Sequence, residues 1–379
     1  MVASVPSMIG QFNMSNIHIL LNLGYEVHVA CNFYDRSVWT EERITKLKQE
    51  FDGLGVKYFQ VDFSRSPIKL HKYKKAYLQL KKLLGENEYS FVHCHTPVAS
   101  VICRIVTHYA RIKCIYTAHG FHFFKGAPVI NWLVYYPVEK ILSRWTDVLI
   151  TINKEDYKLA QKKMHAKKVV YIPGVGVDTK KFEICSVNRE EKRKSLGIPK
   201  EAFVLLSVGE LQERKNQNVV IEALRKLNNP NIYYLIVGKG ELQDEYEESI
   251  KRYALESNIK LLGHRNDIGE LCKISDCFIH PSVREGLGIA LLEAMACGLP
   301  LISSYVNGIK DYTENNVSGC CIRNPLSTDE VAEAITKMFL NKELRKKCGI
   351  SNLGTAKKFD IENTEEIMKE LYMEKPITM

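Results

Sequence analysis

Short apolar runs alternate along the chain with segments whose apolar positions recur every three or four residues. Val2–Val5, Glu26–Ala30, Tyr58–Val61, Phe91–His95, Cys114–Thr117 and Val148–Ile152 read as strands of a largely parallel sheet. Gln11–Leu23, Thr40–Leu54, Leu70–Leu84, Pro97–Ala110 and Asn131–Arg144 carry the helical period between them. Such alternation predicts a doubly wound α/β domain. The punctuated segment Ile172-Pro-Gly-Val-Gly-Val-Asp178 marks a junction, after which the alternation restarts. Phe203–Val208, Tyr233–Val237, Ile259–Leu262, Cys277–His280 and Leu299–Ser303 are the next strands. The helices among them fall at Asn218–Leu227, Leu242–Glu256, Ile268–Ile274, Gly288–Ala296 and Thr328–Leu340, with a last one near Glu362–Met373. The fold class is therefore α/β, two Rossmann-like doubly wound domains. Their expected extents are 1–178 and 179–360, with 361–379 a C-terminal helix expected to pack back on the first. Ligands of such sheets bind beyond the strands' carboxyl ends, so two facing units predict a cleft between them.

Composition narrows the class without changing that picture. A chain of 379 residues exceeds what one core usually organises. No run of about 18 uncharged apolar residues predicts a transmembrane helix. The N-terminus lacks a basic region followed by an apolar core, so no signal peptide is expected, and the first strand is short enough for Met1 to lie inside it. The 11 cysteines form no Cys-x-x-Cys pair, which suits reduced thiols in a cytosolic protein. Charge is uneven. Residues 1–178 hold 24 Lys and Arg against 14 Asp and Glu, whereas the remainder holds 29 against 30. The first half is expected to meet an anionic surface or substrate.

The densest chemical signal is Pro281-Ser-Val-Arg-Glu285-Gly-Leu-Gly288-Ile-Ala-Leu-Leu-Glu293-Ala-Met-Ala-Cys-Gly298. It runs from an apolar strand through a glycine turn into a helix, whose first N–H groups favour a phosphate. Glu293, inside the helix, suits the hydroxyls of a ribose rather than the phosphate itself. The plainer alternative is a buried turn with a solvated glutamate. Gly238-Lys-Gly240 follows no first strand and has Gln243 at the third glycine position of a dinucleotide fingerprint, which disfavours a nicotinamide enzyme. His93 and His95 share a strand face and could join His119 and His122 around a metal, a minor alternative. No Asp-x-Asp pair is present to hold a metal diphosphate.

The Glu285-x7-Glu293 segment resembles the signature of retaining glycosyltransferases of family 4, which have the GT-B fold. The likeness extends over nearly the whole chain. Ser207-Val-Gly-Glu-Leu-Gln-Glu-Arg-Lys-Asn216 resembles the family's phosphate-binding segment, and Leu235–Leu242 and Leu262–Ile268 its next two strand ends. Phe91–Thr96 and Tyr116–His122 resemble its N-terminal domain. Bacterial exopolysaccharide and capsule transferases, which extend undecaprenyl-linked sugars, are the most similar branch. The resemblance implies a nucleotide-sugar donor, with UDP the expected nucleotide, and no cofactor or metal. Nucleic acid is not an expected partner. It places Lys215 and the Gly286, Leu287 and Gly288 backbone on the diphosphate, Glu285 on sugar hydroxyls, Glu293 on the ribose and His119 near the reacting carbon. Gly209 belongs to the same donor loop.

Two departures stand out. Glu210 follows the first glycine where the family often has Arg, so Arg214 is the candidate second cation. Gly10 alone stands in the loop where a glycine pair often lies near phosphate and acceptor. A nucleotide-sugar epimerase of the same architecture and a non-catalytic nucleotide- or lipid-binding subunit remain alternatives. Location has two cues. Leu70, Tyr73, Tyr77, Leu80 and Leu84 form a stripe among Lys69, Lys72, Lys74, Lys75, Lys81 and Lys82. It reads either as a core face with a solvated basic back or as a dock for anionic lipid on the inner face of the cytoplasmic membrane. Phe121, Phe123, Phe124, Trp132, Tyr135 and Tyr136 are partly core and partly a candidate entry for a lipid-linked acceptor.

Overall fold

The computed structural model describes residues 1–64, 70–124 and 126–374. It divides into two compact units, Met1–Val175 with Glu362–Met379, and Gly176–Ile361. Residues 375–379 of the expected C-terminal segment lie outside the described residues.

In the first unit β1 (His28–Cys31) pairs in parallel with β2 (Lys57–Gln60). A second parallel set runs β3 (Phe91–His95), β4 (Lys113–Ala118), β5 (Val148–Thr151) and β6 (Lys168–Tyr171). The expected first strand contracts to one bridging residue, because Pro6 already opens a helix, Pro6–Phe12. Val2 bridges Ala30 on one side and Cys94 on the other. Its N–H donates to the His93 carbonyl and its carbonyl accepts from the His95 N–H, both at 2.8 Å. The order is then β2-β1-Val2-β3-β4-β5-β6, winding outward in both directions from the first residues.

The second unit is one parallel sheet in the order β12-β11-β10-β7-β8-β9. Its strands are β7 (Phe203–Val208), β8 (Ile232–Val237), β9 (Ile259–Gly263), β10 (Cys277–His280), β11 (Leu301–Ser304) and β12 (Gly319–Ile322). The winding reverses between β7 and β10, the position where doubly wound sheets bind ligands.

Several elements differ from the sequence expectation. Helix Gln11–Leu23 is two helices, Pro6–Phe12 and Met14–Asn22, broken at Asn13, whose side-chain amide donates to the Met8 carbonyl at 2.9 Å. Gly10 is therefore helical and not in a strand-to-helix loop. A Cβ there would stand 2.3 Å from the Trp39 ring, so the glycine admits the indole. Strands β6 and β12 and helices Lys154–Lys163, Thr179–Glu183, Arg189–Ser195 and Lys342–Ala356 are additions to the sequence reading.

Each unit has its own core. In the first, Cys94, Cys103 and Cys114 bring their sulfurs within 4.8 Å of one another among buried aliphatics, and all three are free thiols. The helix Ile361–Met373 adds Tyr372, which stacks on Phe91 at 5.6 Å, and Glu365, which accepts from the Ser15 hydroxyl. The helix Val129–Leu142 is anchored by a buried ion pair. Arg104 Nη1 donates to Glu139 Oε2 at 2.8 Å, its Nε donates to the Ser100 carbonyl, and its guanidinium lies 4.4 Å from the Tyr116 ring centre. Burial opposes that charge, yet the Glu139 carboxylate holds it firmly protonated.

Removing one partner of a buried pair strands the other. Glu139→Ala is expected to cost about 3–5 kcal/mol in urea unfolding. The double replacement Arg104→Met with Glu139→Leu should recover most of that loss; a double variant no better than the single one would contradict the pairing argument.

Candidate active site

The switch point of the second unit assembles a cluster of charge. Beyond β7 the chain makes a short 3-10 turn, Glu213–Lys215, and Asn216 then takes the left-handed conformation, φ 56°. Asn216 ties the loops together, its side-chain amide donating to the Pro281 and Pro325 carbonyls at 3.2 and 2.7 Å. The Val283 N–H donates to the Arg214 carbonyl at 2.9 Å, binding the loop after β7 to the loop after β10. These links bring Lys215 to Glu285. Lys215 Nζ donates to Glu285 Oε2 at 2.6 Å, and the two side chains are only 13% and 12% exposed. Arg214 Nη1 donates to the Arg284 carbonyl at 3.2 Å and lies 3.4 Å from the same carboxylate oxygen. His280, buried at the end of β10, places Nε2 3.2 Å from that oxygen and 3.0 Å from Ser282 Oγ.

Burial alone would push the Glu285 carboxyl up. The His280 hydrogen bond and the Lys215 and Arg214 charges override it and hold the group well below the usual carboxylate range. His280 is driven down by burial and by Lys215, so it is a neutral N–H donor. An ammonium carries three donors, and Glu285 uses one of those on Lys215. The cluster thus combines a fixed carboxylate with a cation able to take a second anion.

Glycines set the approach of the neighbouring loops. A Cβ on Gly238, φ +144°, would fall 1.9 Å from the Gly209 carbonyl oxygen, and one on Gly240 2.3 Å from that of Leu211. Glu210, between Gly209 and Leu211, is exposed and touches Gln212. Gly288, φ +83°, caps the helix Ile289–Ala296, and the Tyr312 hydroxyl donates to the Leu287 carbonyl at 2.6 Å. Glu293 stands apart from the Glu285 cluster on that helix. Burial raises its carboxyl to about 7, only partly offset by Lys181.

In the first unit His119 follows β4 directly. Its Nε2 lies 3.1 Å from His95 Nδ1, while burial lowers it to about 4. His93 is spoken for on both nitrogens, by the Tyr372 hydroxyl and the Thr117 hydroxyl at 2.8 Å each. His95 Nε2 is buried without a partner. A cavity of about 20 Å³, room for one water, lies beside His95, Thr117, His119 and Glu365. His122 leaves this group, its ring lying 4.7 Å from that of Tyr135. Among the described residues the potential ligands that gather in a group of three are the cysteines Cys94, Cys103 and Cys114, so the four histidines do not converge on one point.

The sequence names Lys215, Arg214 and Glu285 for this chemistry, offers His95 only as a possible metal ligand, and does not single out His280 and Ser282. His280 ends an apolar strand, and only the Ser282 spacing two residues on hinted at a polar pair.

Two family models cover most of the chain. Residues 17–181 match the model described as Glycosyltransferase Family 4, and residues 188–352 that described as Glycosyl transferases group 1. The "Putative glycosyltransferase EpsD" of Bacillus subtilis (strain 168) is 34% identical over 377 residues, covering 98% of this chain and 94% of the relative. The chain belongs to the family 4 glycosyltransferases. Another family member, the UDP-Gal:alpha-D-GlcNAc-diphosphoundecaprenol alpha-1,3-galactosyltransferase of Escherichia coli, is 35% identical over 67% of this chain and 68% of its own. The crystal structure of Anabaena Alr3699/HepE in complex with UDP-glucose superposes with a TM-score of 0.78 at 20% identity, covering 98% of each chain. WaaG, a glycosyltransferase involved in lipopolysaccharide biosynthesis, gives 0.73 at 20% identity over 99% and 100%. This glycosyltransferase has the GT-B fold.

A carboxyl raised by burial lowers stability as it ionises. For Glu293 the fold is favoured fully below the unfolded value near 4.5 and loses that advantage as pH rises through about 7. Glu293→Gln should therefore raise the melting temperature at pH 8, by up to about 3 kcal/mol of stability, and leave it unchanged near pH 4. Equal melting curves at both pH values would show that the carboxyl is not held neutral.

Proposed function

We propose that this glycosyltransferase transfers a sugar from a UDP-sugar, with retention at the anomeric carbon, to an undecaprenyl-diphosphate-linked glycan in exopolysaccharide or capsule synthesis. The work is done at the inner face of the cytoplasmic membrane and needs no metal. The observation that carries the reading is the meeting of Lys215 and Glu285 at the switch point of the second unit. Family membership supplies the reaction class, and the Escherichia coli relative's name supplies a precedent for donor and acceptor.

In this reading the donor's C1–O bond breaks, the acceptor oxygen bonds to C1 from the same face, and the acceptor proton passes to the departing diphosphate. Lys215, with two N–H donors beyond the Glu285 contact, neutralises the charge that grows on that diphosphate. Arg214 and the Gly286–Gly288 backbone assist it. Glu285 Oε1, which the cations and His280 do not use, accepts from sugar hydroxyls. Glu293 takes the ribose hydroxyls, and His119, neutral and oriented by His95, contacts the sugar near C1.

The decisive assay incubates a set of UDP-sugars with an undecaprenyl-diphosphate-linked acceptor in EDTA. The expected product is one sugar heavier than the acceptor, with the donor's anomeric configuration. An inverted product, or turnover abolished by EDTA and restored by a divalent cation, would overturn that part of the mechanism. Interconversion of the UDP-sugar without acceptor would favour an epimerase.

Lys215→Ala should lower kcat by about 10²–10³ at saturating donor with a smaller change in donor affinity. An unchanged kcat would remove Lys215 from the chemical step.

A further inference from the structure

The helix Val129–Leu142 has its apolar side outward. Val129, Ile130, Leu133, Val134, Val138 and Ile141 are exposed, from 40% at Val138 to 73% at Val129, and Pro137 lies on the same side. Their spacing puts them in one row, about 18 Å long at 1.5 Å per residue. The opposite face is already occupied: Trp132, Tyr135 and Tyr136 pack against the core, and Glu139 is paired with Arg104. A water-facing surface helix carries charge where this one carries valine, isoleucine and leucine. A continuous apolar row of this kind marks a covered surface.

The rim shows what covers it. Within 126–144 the acid is Glu139, which is buried, while Lys140 and the exposed Arg144 close the C-terminal end. Beside them, exposed Tyr109 and exposed Arg111 end the helix Pro97–Ala110, and Trp145 stacks on His108 at 4.5 Å. Apolar centre, aromatic edge and cationic rim are the layers of an anionic bilayer interface met from the side. A second copy would bring another basic rim with no acid to receive it. At 14 residues the helix is too short to cross a bilayer, and among the described residues no helix is long and apolar enough to do so.

The basic helix Leu70–Gly85 has a lesser part. Tyr73, Tyr77 and Leu80 face the core, while Lys74, Lys75, Lys81 and Lys82 are exposed. Lys75 is paired with Asp62 at 2.6 Å and Lys82 reaches Glu86 at 3.7 Å. Lys69, and the side chains of Leu70 and Lys72, lie outside the described residues.

We propose that the outward row of Val129–Leu142 beds into the surface of an anionic phospholipid bilayer, the helix lying in the plane of the interface. The proposal deepens, and for its purpose rests on, the reading of a lipid-linked acceptor. Its test is flotation of the full chain with phosphatidylglycerol-containing vesicles and with phosphatidylcholine vesicles. Substituting Ile130, Leu133 and Val134 together by Ser should lower binding to the anionic vesicles about tenfold or more. Lys74→Gln with Lys81→Gln should instead reduce the salt-sensitive part only. An unchanged melting temperature shows that the triple variant is folded; should it not be, Leu133→Ser alone serves. Binding equal to the parent chain would overturn the proposal. So would a dimer of the parent chain, seen by light scattering, that the triple variant dissolves. Turnover on a water-soluble short-chain acceptor separates the two readings. The triple variant should keep that turnover while losing vesicles. A parent chain that floats through this row yet uses no lipid-linked acceptor would sink the acceptor reading and leave the docking surface standing.

Discussion

One ionised carboxylate in a nearly dry place governs the architecture of the second unit. Glu285 is charged against the pull of burial, so its surroundings must supply donors. Three donors come from two places: Lys215 and Arg214 from the loop after β7, and His280 from the end of β10. Strands β7 and β10 are the neighbours across which the winding reverses. The sheet topology thus delivers the two loops to one point, and the charge holds them there. Asn216 and the Val283–Arg214 backbone bond fix the same junction without charge.

The histidine group of the first unit meets burial in the opposite way. His93, His95 and His119 are all pushed down and remain neutral, so their partners are hydroxyls and one another rather than counter-ions, with His95 Nε2 left without one. Glu293 is a third solution: with only Lys181 to offset burial, it is poised close to neutral pH. Three kinds of titratable site therefore arise from one balance, the cost of desolvation against the donors within reach.

Strands buried on both faces were the most legible part of the sequence. Phe91–His95, Phe203–Val208 and Cys277–His280 were placed to the residue because a covered parallel strand is a continuous apolar run. The edge strands β6 and β12 escaped notice, one opening on Lys168 and the other on Gly319, since an edge needs neither length nor apolarity. Gly10 was misplaced because its purpose, room for Trp39, lies at long range. The segment after His119 was legible in composition but not in phase. Aromatic residues drew attention there, whereas the aromatic side packs inward and the aliphatic side faces out. His280 carried no signal of its own, since its partner is fixed by a turn that spacing alone does not reveal.

The crowding of Gly209, Gly238 and Gly240 bears on where this scaffold can change. A methyl group at Gly238 or Gly240 would collide with the main chain of Gly209 and Leu211 in the loop after β7, so those positions have no freedom to drift. Glu210, between Gly209 and Leu211 in that loop, is exposed, and its carboxylate accepts from the Gln212 side chain. Rigid positions thus bracket a permissive one at the rim of the charge cluster. Side chains of different sign and length can be exchanged at 210 without moving a strand, so the position can vary while the loop around it stays fixed.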